Sequence, residues 1–208
     1  MLRLLITAFE PYDCWKENAS WLALVEFTKT MSSRADITTR LYPVDFAEVK
    51  TRLERDLRDE YDVAIHLGQS PGASCIELEA IGLNVGGRSD QLAEQYEPLI
   101  EDGPVAYRST LPLAEWSQAL RSQGIPTNVS YHAGAYLCNA TLFLTHYFAE
   151  KLGLNTQAAF VHLPLNYSQT VEHNKRMPAM PSAMSARAVQ LIVEELVKRA
   201  PAHEQELA

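Results

Sequence analysis

The sequence predicts one α/β domain, in which two layers of helices enclose a largely parallel, mixed central sheet. Short apolar segments alternate with longer segments whose apolar residues recur at helical intervals, which is the pattern of βα units. Several of the short segments are apolar at nearly every position, as expected of strands buried on both faces. The length of 208 residues suffices for one sizeable core. We expect residues 1–199 to form this single domain and residues 200–208 to form a disordered tail.

The first half of the chain supplies three strands and two helices. The strands are predicted at 2–9, 37–44 and 62–68. Asn18 can cap a helix that runs to about residue 31, and a second helix is predicted at 46–60. The apolar sides of these two helices are predicted to carry Trp21, Leu22, Val25 and Phe27, and Val49, Leu53 and Leu57. Parallel sheets bind ligands beyond the carboxyl ends of their strands, so loops 10–14 and 69–73 are candidate walls of a site.

The second half of the chain is less regular. Residues 76–85 are apolar enough for a strand, for which an antiparallel direction stays open. Residues 86–104 are polar, and a loop of this length in a compact domain is often functional or mobile. The remaining strands are predicted at 129–132 and 158–163, and the remaining helices at 113–123, from about Cys138 to Gly153, and at 183–199.

Composition and charge exclude several classes of function. The net charge of −8, without any basic cluster, argues against a nucleic-acid partner. Cys14, Cys75 and Cys138 are odd in number and widely spaced, which favours neither a disulfide framework nor a zinc site and suits a reducing compartment. The apolar run at 1–9 is too short for a membrane span, and no signal-peptide cleavage site follows it. We therefore expect a cytoplasmic protein without a nucleic-acid or membrane partner.

Cys138 is the first candidate for chemistry. It follows an extended segment and lies near the expected first turn of a helix. Backbone N–H groups without partners and the positive end of the helix dipole meet there, and both favour the thiolate, which is the nucleophilic form. The alternative is a small buried cysteine that packs a strand-to-helix corner, because free cysteine is among the most buried residue types.

Two further residues could complete a cysteine site. His162 comes at the end of a buried strand, and Glu79 is an acid within an apolar run. Cysteine, histidine and an orienting carboxylate are the three parts of an activated thiol nucleophile. Taken singly, His162 could be a hydrogen-bonded core residue and Glu79 an edge residue facing water. Their spacing alone does not decide between these interpretations.

Seven segments of the chain resemble, in order, the motifs of one known family. They are 7–12 with 18–20, 41–44, 66–69, 79–84, 102–107, 130–139 and 160–164. The family is pyroglutamyl peptidase I, the pyrrolidone-carboxylate peptidases. The matches span about residues 4–165, which is nearly the whole predicted domain. Seven ordered matches are far more specific than any single motif.

The resemblance implies an activity and a set of residues. The family consists of cysteine peptidases that remove an N-terminal pyroglutamate from peptides through a thioester acyl-enzyme, without metal or cofactor. Its Cys-His-Glu triad falls on Cys138, His162 and Glu79. The resemblance implies that Phe9 and Tyr12 clamp the lactam ring and that the Gln69 backbone pairs with the lactam amide. It also makes Arg88 the nearest match to an arginine that assists the oxyanion in the family. It also implies a homo-oligomer, either a tetramer or a dimer.

The chain departs from the family pattern in the expected pocket wall. Asp13-Cys14 stands where the family has two glycines, and Pro71 lies within the loop 69–73, where it removes an N–H group. Ala80 replaces the arginine after the triad glutamate. Two alternatives therefore stay open: a related hydrolase of another cyclic or blocked N-terminal amide, and a homologue that binds pyroglutamyl ligands without turnover. A nucleoside-binding α/β protein is a rival at the level of fold, but the chain has no phosphate-cradling glycine motif.

Overall fold

A six-stranded sheet forms the centre of the protein in the computed structural model, which describes residues 1–31, 34–88, 91–171 and 176–200. The strands, in chain order, are β1 (Arg3–Phe9), β2 (Asp36–Tyr42), β3 (Val63–Gln69), β4 (Ile76–Glu79), β5 (Ile81–Leu83), β6 (Ala106–Arg108), β7 (Thr127–Ser130) and β8 (Gln157–Leu163). The strand order in the central sheet is β2-β1-β3-β8-β4-β7, and β5 and β6 form a separate two-stranded sheet. Of the predicted tail at 200–208, only Ala200 is among the described residues, and 201–208 lie outside them.

The central sheet is parallel except at one pair. β1 pairs in parallel with β2 and β3, β3 with β8, and β4 with β7. Only the pairing of β4 with β8 is antiparallel among the strand pairs described for this sheet. The prediction of a largely parallel, mixed sheet is therefore confirmed. The reversal at β4 matters for the site, because it brings a strand that runs the other way beside the carboxyl-terminal half of β8.

Helices cover both faces of the sheet. They are α1 (Ala19–Thr28), α2 (Phe46–Leu57), α3 (Leu113–Ser122), α4 (Leu137–Lys151), α5 (Tyr167–Val171) and α6 (Ser182–Arg199). One core cluster joins α1, α3 and α6 to one set of strand side chains, among them Leu4, Ile6 and Val161. The other joins α2 and α4 to the alternate set, among them Leu5, Ala64 and Phe160. Successive side chains of a strand point to opposite faces of the sheet, which produces these two sets. Because helices cover each face, the predicted arrangement of a sheet between two helix layers is confirmed.

The buried face of α1 differs from the predicted one. Its buried residues are Ala19, Ser20, Ala23, Leu24 and Phe27, whereas Trp21 and Val25 are exposed. Small side chains let α1 approach the sheet closely, which leaves no room there for an indole. Ser20 is buried because its hydroxyl accepts the Phe9 N–H at 3.1 Å and donates to Asn18 Oδ1 at 2.8 Å. The predicted cap is confirmed, since Asn18 also accepts the Ser20 N–H.

Three other local features differ from or add to the predictions. The apolar run 76–85 breaks at Ala80 into β4 and β5, which belong to different sheets. β6 and the short helix α5 are absent from the predictions. Within the part of the chain that the structure describes, every helix is too short or too polar to cross a membrane.

Candidate active site

The antiparallel pairing of β4 with β8 brings Glu79 and His162 together. Glu77 lies opposite His162 and Glu79 opposite Phe160, so Glu79 and His162 are diagonal neighbours on one face of the sheet. Their contact joins His162 Nδ1 to Glu79 Oε1 at 2.7 Å. Glu79 is 1% exposed and His162 8% exposed, so the pair is shielded from water. Glu79 is therefore not an edge residue that faces solvent.

Cys138 reaches the other side of the same imidazole. It is the second residue of α4, which packs on the face of the sheet that carries His162. The Cys138 sulfur lies close enough to His162 to raise the pKa of the imidazole, as Glu79 also does. Because Nδ1 is engaged by Glu79, Nε2 is the nitrogen left for the sulfur. Cys138 is half-buried and lines a cavity, so it is not a fully buried packing cysteine.

The charges around His162 favour its protonated form. Burial by itself lowers the pKa of His162, but the Cys138 sulfur and the Glu79 carboxylate outweigh burial and raise that pKa to about 10. The second oxygen of Glu79, Oε2, is buried without a hydrogen-bond partner among the described residues. The Glu79 charge is thus balanced chiefly by the imidazolium, which is the arrangement expected of an orienting carboxylate.

A small apolar cavity of about 40 Å³ opens beside the thiol. Its lining includes three of the predicted substrate-binding residues, Phe9, Tyr12 and Gln69, together with Cys138. Phe9 and Gln69 end β1 and β3, and Tyr12 follows on the loop after β1. Burial, and then the neighbouring Cys138, raises the pKa of Tyr12 to about 12, so its phenol stays protonated. The predicted walls at 10–14 and 69–73 therefore contribute residues to one cavity.

Arg88 lies on the segment after β5 and does not line this cavity among the described residues. Its side chain is exposed, and its backbone N–H donates to Gln91 Oε1 at 2.8 Å. The preceding residue, Gly87, donates its N–H to Ala135 O at 2.9 Å, in the loop that leads into α4. The structure thus brings the Arg88 segment to the loop before Cys138. The predicted oxyanion role of Arg88 stays a prediction.

The described residues offer one potential metal cluster. Single ligand atoms of Glu77, Glu79 and His162 lie within 4.8 Å of one another. One of these groups, His162 Nδ1, already bonds Glu79, and a cation there would have to displace that hydrogen bond. A larger cavity of about 680 Å³ lies at the amino ends of the strands, where Leu2, Val63 and Gln157 line it. No thiol or imidazole is among its described lining residues, whereas Cys138 lines the smaller cavity.

Sequence reasoning gave no role to several residues that support this site. Phe160 packs against His162, with ring centroids 4.9 Å apart, and also against Phe9 at 6.3 Å. Asn139, next to Cys138, accepts the Leu83 N–H at 2.8 Å and donates to Leu83 O and Val85 O, both at 2.9 Å. These contacts fix the first turn of α4 against β5. Only the motifs at 130–139 and 160–164 signalled these residues in the sequence.

His66 is a structural histidine beneath the site. It is fully buried, and its ring nitrogens contact Thr7 Oγ1 at 2.8 Å and Thr145 Oγ1 at 2.9 Å. Thr145 donates its hydroxyl hydrogen to Thr141 O, so it must accept from His66 Nε2–H, and Thr7 donates to Nδ1. Burial, and then the proximity of His146, lowers the pKa of His66 to about 3. His66 is therefore a neutral link between β1, β3 and α4.

An α/β domain that brings a thiol, an imidazole and a buried carboxylate together beside a small apolar cavity has the features of the class of cysteine-type hydrolases. The sequence model of the family described as pyroglutamyl peptidase matches residues 2–199. The chain belongs to the pyroglutamyl peptidase family.

Curated relatives and solved structures agree with this assignment. The pyrrolidone-carboxylate peptidase of Clavibacter michiganensis is 35% identical over 195 residues, which cover 89% of this chain and 91% of that protein. The one from Thermococcus litoralis is 32% identical over 203 residues, covering 93% and 92%. The crystal structure of a mutant pyrrolidone carboxyl peptidase from P. furiosus superimposes with a TM-score of 0.88 at 29% identity, covering 96% of this chain and all of that one.

Proposed function

We propose that the protein hydrolyses the amide bond after an N-terminal pyroglutamyl residue of peptides, with Cys138 as nucleophile, His162 as acid and base, and Glu79 as orienting carboxylate. The observation that carries this proposal is the His162 ring, which is hydrogen-bonded to Glu79 and has the Cys138 sulfur nearby, beside the cavity of Phe9, Tyr12 and Gln69. Pyroglutamate has no charged amino group, so a small apolar cavity with a few polar groups suits its flat lactam.

The first half of the reaction forms the acyl-enzyme. The Cys138 thiol gives its proton to His162, and the sulfur attacks the scissile carbonyl carbon. The negative oxygen that results is stabilised by the Cys138 N–H, which has no acceptor within α4. The resemblance adds the Arg88 guanidinium as a second donor. The imidazolium of His162 then gives its proton to the leaving amine as the C–N bond breaks, which leaves a thioester on Cys138.

The second half releases pyroglutamate. His162, now neutral, takes a proton from water, and the hydroxide oxygen attacks the thioester carbonyl. The C–S bond breaks, and the sulfur and imidazolium return as a pair. Glu79 keeps the imidazole in the tautomer that presents Nε2 to the sulfur and stabilises the cation at both stages.

Turnover of a pyroglutamyl amide by wild type and Cys138→Ala tests this proposal. We expect wild type to release a fluorescent amine, and we expect Cys138→Ala to lose at least about 10³-fold in kcat while its fold is retained, because no other group in the site replaces the thiol. Cys75→Ala is the matched control, since Cys75 lies immediately before β4 and outside the cavity lining, and it should keep wild-type turnover. Wild-type-like turnover by Cys138→Ala would remove this thiol from the mechanism.

Two further measurements separate the alternatives. Activity should survive EDTA; its loss and restoration by added metal would instead point to the Glu77, Glu79 and His162 cluster as a metal site. A panel of other cyclic or acyl-blocked amides tests for the related hydrolase, which would prefer one of them to the pyroglutamyl substrate. Binding of 2-pyrrolidone by wild type without any turnover would support a non-catalytic binding homologue.

We also propose that residues 1–199 form one catalytic domain, which the family match over 2–199 supports. A cytoplasmic location is supported by three free cysteines, Cys14, Cys75 and Cys138, none of them in a disulfide. Assembly into a dimer or tetramer rests on resemblance to the family, and light scattering coupled to gel filtration would measure it.

A further inference from the structure

The Gln69 side chain has one end held and the other end without a partner. Its Oε1 accepts the Ala19 N–H at 2.8 Å and Gln169 Nε2 at 2.6 Å. A backbone N–H can only donate, so the oxygen must face Ala19 and the orientation of the amide is fixed. Its Nε2 therefore points the other way, and this atom is buried with no hydrogen-bond partner among the described residues.

The unpartnered Nε2 is carried by a residue that lines the cavity beside the thiol. Gln69 is 4% exposed and lines this cavity with Tyr12 and Cys138. The Gln69 amide lies near the Tyr12 hydroxyl but makes no hydrogen bond of normal geometry with it. Buried polar groups without partners are rare in folded proteins. A buried donor that faces a cavity is therefore available to an acceptor on a ligand.

Gln169 is held as firmly as Gln69. It lies on α5, is 5% exposed, and its Oε1 accepts the Asn166 N–H at 2.8 Å. Its Nε2 donates to Glu17 O at 3.0 Å as well as to Gln69 Oε1. A backbone donor on one side and a backbone acceptor on the other fix this amide as well. The two glutamines thus form a series in which each amide has only one orientation.

We propose that Gln169 is a positioning residue that turns the Gln69 side-chain amide so that Nε2 donates to the ring carbonyl of the substrate lactam. This inference rests on the proposed function, because it identifies the acceptor as that carbonyl. The ring carbonyl is what separates a pyroglutamyl from a prolyl residue. In a prolyl residue a methylene takes the place of that carbonyl, so Nε2 would stay buried without an acceptor. The Gln169–Gln69 pair therefore determines selectivity for the lactam over the amine.

Kinetics of Gln169→Met and Gln69→Met on pyroglutamyl and prolyl amides test the proposal. Methionine keeps the length of the side chain without the amide. We expect Gln69→Met to lower the pyroglutamyl-to-prolyl ratio of kcat/KM by about 10–100-fold and Gln169→Met by about 3–10-fold, mostly through KM. Thr170→Val on the same helix removes a local hydrogen bond to Tyr167 O and should leave the ratio unchanged.

The double variant separates positioning from general support of the fold. If Gln169 acts only through Gln69, then Gln169→Met should have no further effect on the ratio in a Gln69→Met background. Additive effects, or an equal loss on both substrates, would overturn the positioning role. The wild-type Gln69 oxygen accepts an N–H at the start of α1. If Gln69→Met therefore fails to fold, the kinetics of Gln169→Met and the binding experiment below decide whether Gln169 positions Gln69.

Binding of 2-pyrrolidone to the Cys138→Ala variant provides a readout that does not need turnover. Adding Gln69→Glu to this background places a carboxylate oxygen where Nε2 was, so it should bind 2-pyrrolidone at least about 10-fold more weakly at pH 8. Binding should recover on acidification, because a protonated carboxyl is again a donor. If the Cys138→Ala protein binds 2-pyrrolidone equally well with and without Gln69→Glu, at every pH, the inference is overturned. If the pH-dependent difference in binding is found but the wild type has no turnover, only the proposed function is contradicted.

Discussion

The pairing of Glu79 with His162 is the strongest electrostatic feature at the scale of single residues. Moving either charge out of water is costly, and a buried pair is favourable only when its geometry and hydrogen bonds are good. Here the contact is 2.7 Å, and the Cys138 sulfur is a second neighbour that raises the pKa of the ring. Removing the Glu79 charge should therefore change the protonation of the His162 ring more than the position of the ring.

Glu79→Gln should move the alkaline limb of activity. The Glu79 charge is one of the causes that raise the pKa of His162 to about 10, so its removal lowers that pKa. The imidazolium is then lost at lower pH, and we expect the alkaline limb of kcat/KM to shift down by about 1–3 pH units, with a lower kcat. Profiles from pH 6 to 11 on a pyroglutamyl amide measure this shift.

Glu77→Gln is the matched control for this experiment. Its carboxylate lies in the same cluster but is not hydrogen-bonded to His162 Nδ1. We expect a much smaller shift than in Glu79→Gln. Equal shifts in the two variants, or no shift in either, would mean that the 2.7 Å contact does not set the protonation of His162.

The residues with a recognisable chemical type were predictable, and their supporting partners were not. Cys138, His162 and Glu79 could be proposed from the sequence because they lie within ordered motifs of one family, whereas their residue types and spacing alone did not decide. Gln169 could not be found, because a glutamine in a polar segment after Pro164 has no periodicity. Its importance comes from contacts with Gln69, 100 residues away, and with Glu17, 152 residues away.

At the scale of elements, the close approach of β3 to α4 sets the position of the thiol. Gly68 lies where an added Cβ would be 3.1 Å from Cys138 Sγ and 2.5 Å from the Phe160 ring. The Phe160 ring in turn packs on His162. The absence of a side chain at Gly68 thus leaves space for the nucleophile and for the aromatic ring that supports the imidazole.

Gly68→Ala should impair the reaction more than it impairs the fold. Both contacts are shorter than ordinary van der Waals distances, so Cys138 and Phe160 must move, and misplacement of reacting groups by about 1 Å can cost about 10²-fold in rate. We expect kcat to fall by about 10–100-fold. Gly124→Ala is the control: Gly124 follows α3 with a φ of +76° and open space around it, so strain there should cost stability without loss of kcat. Unchanged kcat in Gly68→Ala would contradict this account.

Elements with strong periodicity were predicted correctly, and those held by tertiary contacts were not. β1, β3 and β8 were visible as continuous apolar runs, and α2 as a helix with Val49, Leu53 and Leu57 inward. The buried face of α1 was misassigned because Ala23 and Ser20 are less apolar than Trp21, although they occupy the close-packed side. β6 has only three residues and exists through its pairing with β5, which no local pattern could reveal.

At the scale of the whole molecule, two neutral histidines, the fully buried His66 and the half-buried His146, make stability depend on pH. His66 and His146 have pKa values lowered by burial to about 3 and about 4. Both take up protons near pH 6.5 in the unfolded chain, so between pH 6.5 and these lower values the unfolded state binds more protons. The free energy of unfolding therefore rises with pH in this window and falls on acidification.

His146→Phe should reduce this acid sensitivity. His146 stacks on Tyr107 with centroids 5.7 Å apart, which a phenyl ring can preserve, and its Nε2 is buried without a partner among the described residues. We expect the pH dependence of unfolding between pH 6.5 and 4 to lessen by up to about 1.4 kcal/mol per pH unit, with no loss of stability at pH 8. Urea denaturation at a series of pH values measures the difference. Parallel curves for wild type and variant would show that His146 does not titrate between the two states.

The place of β8 between β3 and β4 governs the order in which the sheet can be completed on the ribosome. β1, β2 and β3 lie within the first 69 residues and can pair as soon as they emerge, whereas β8 spans Gln157–Leu163. Until it is synthesised, β3 and β4 each keep an edge that only β8 fills. The nascent chain therefore carries two open strand edges between the synthesis of β4 and that of β8, and His162 arrives on the strand that closes both.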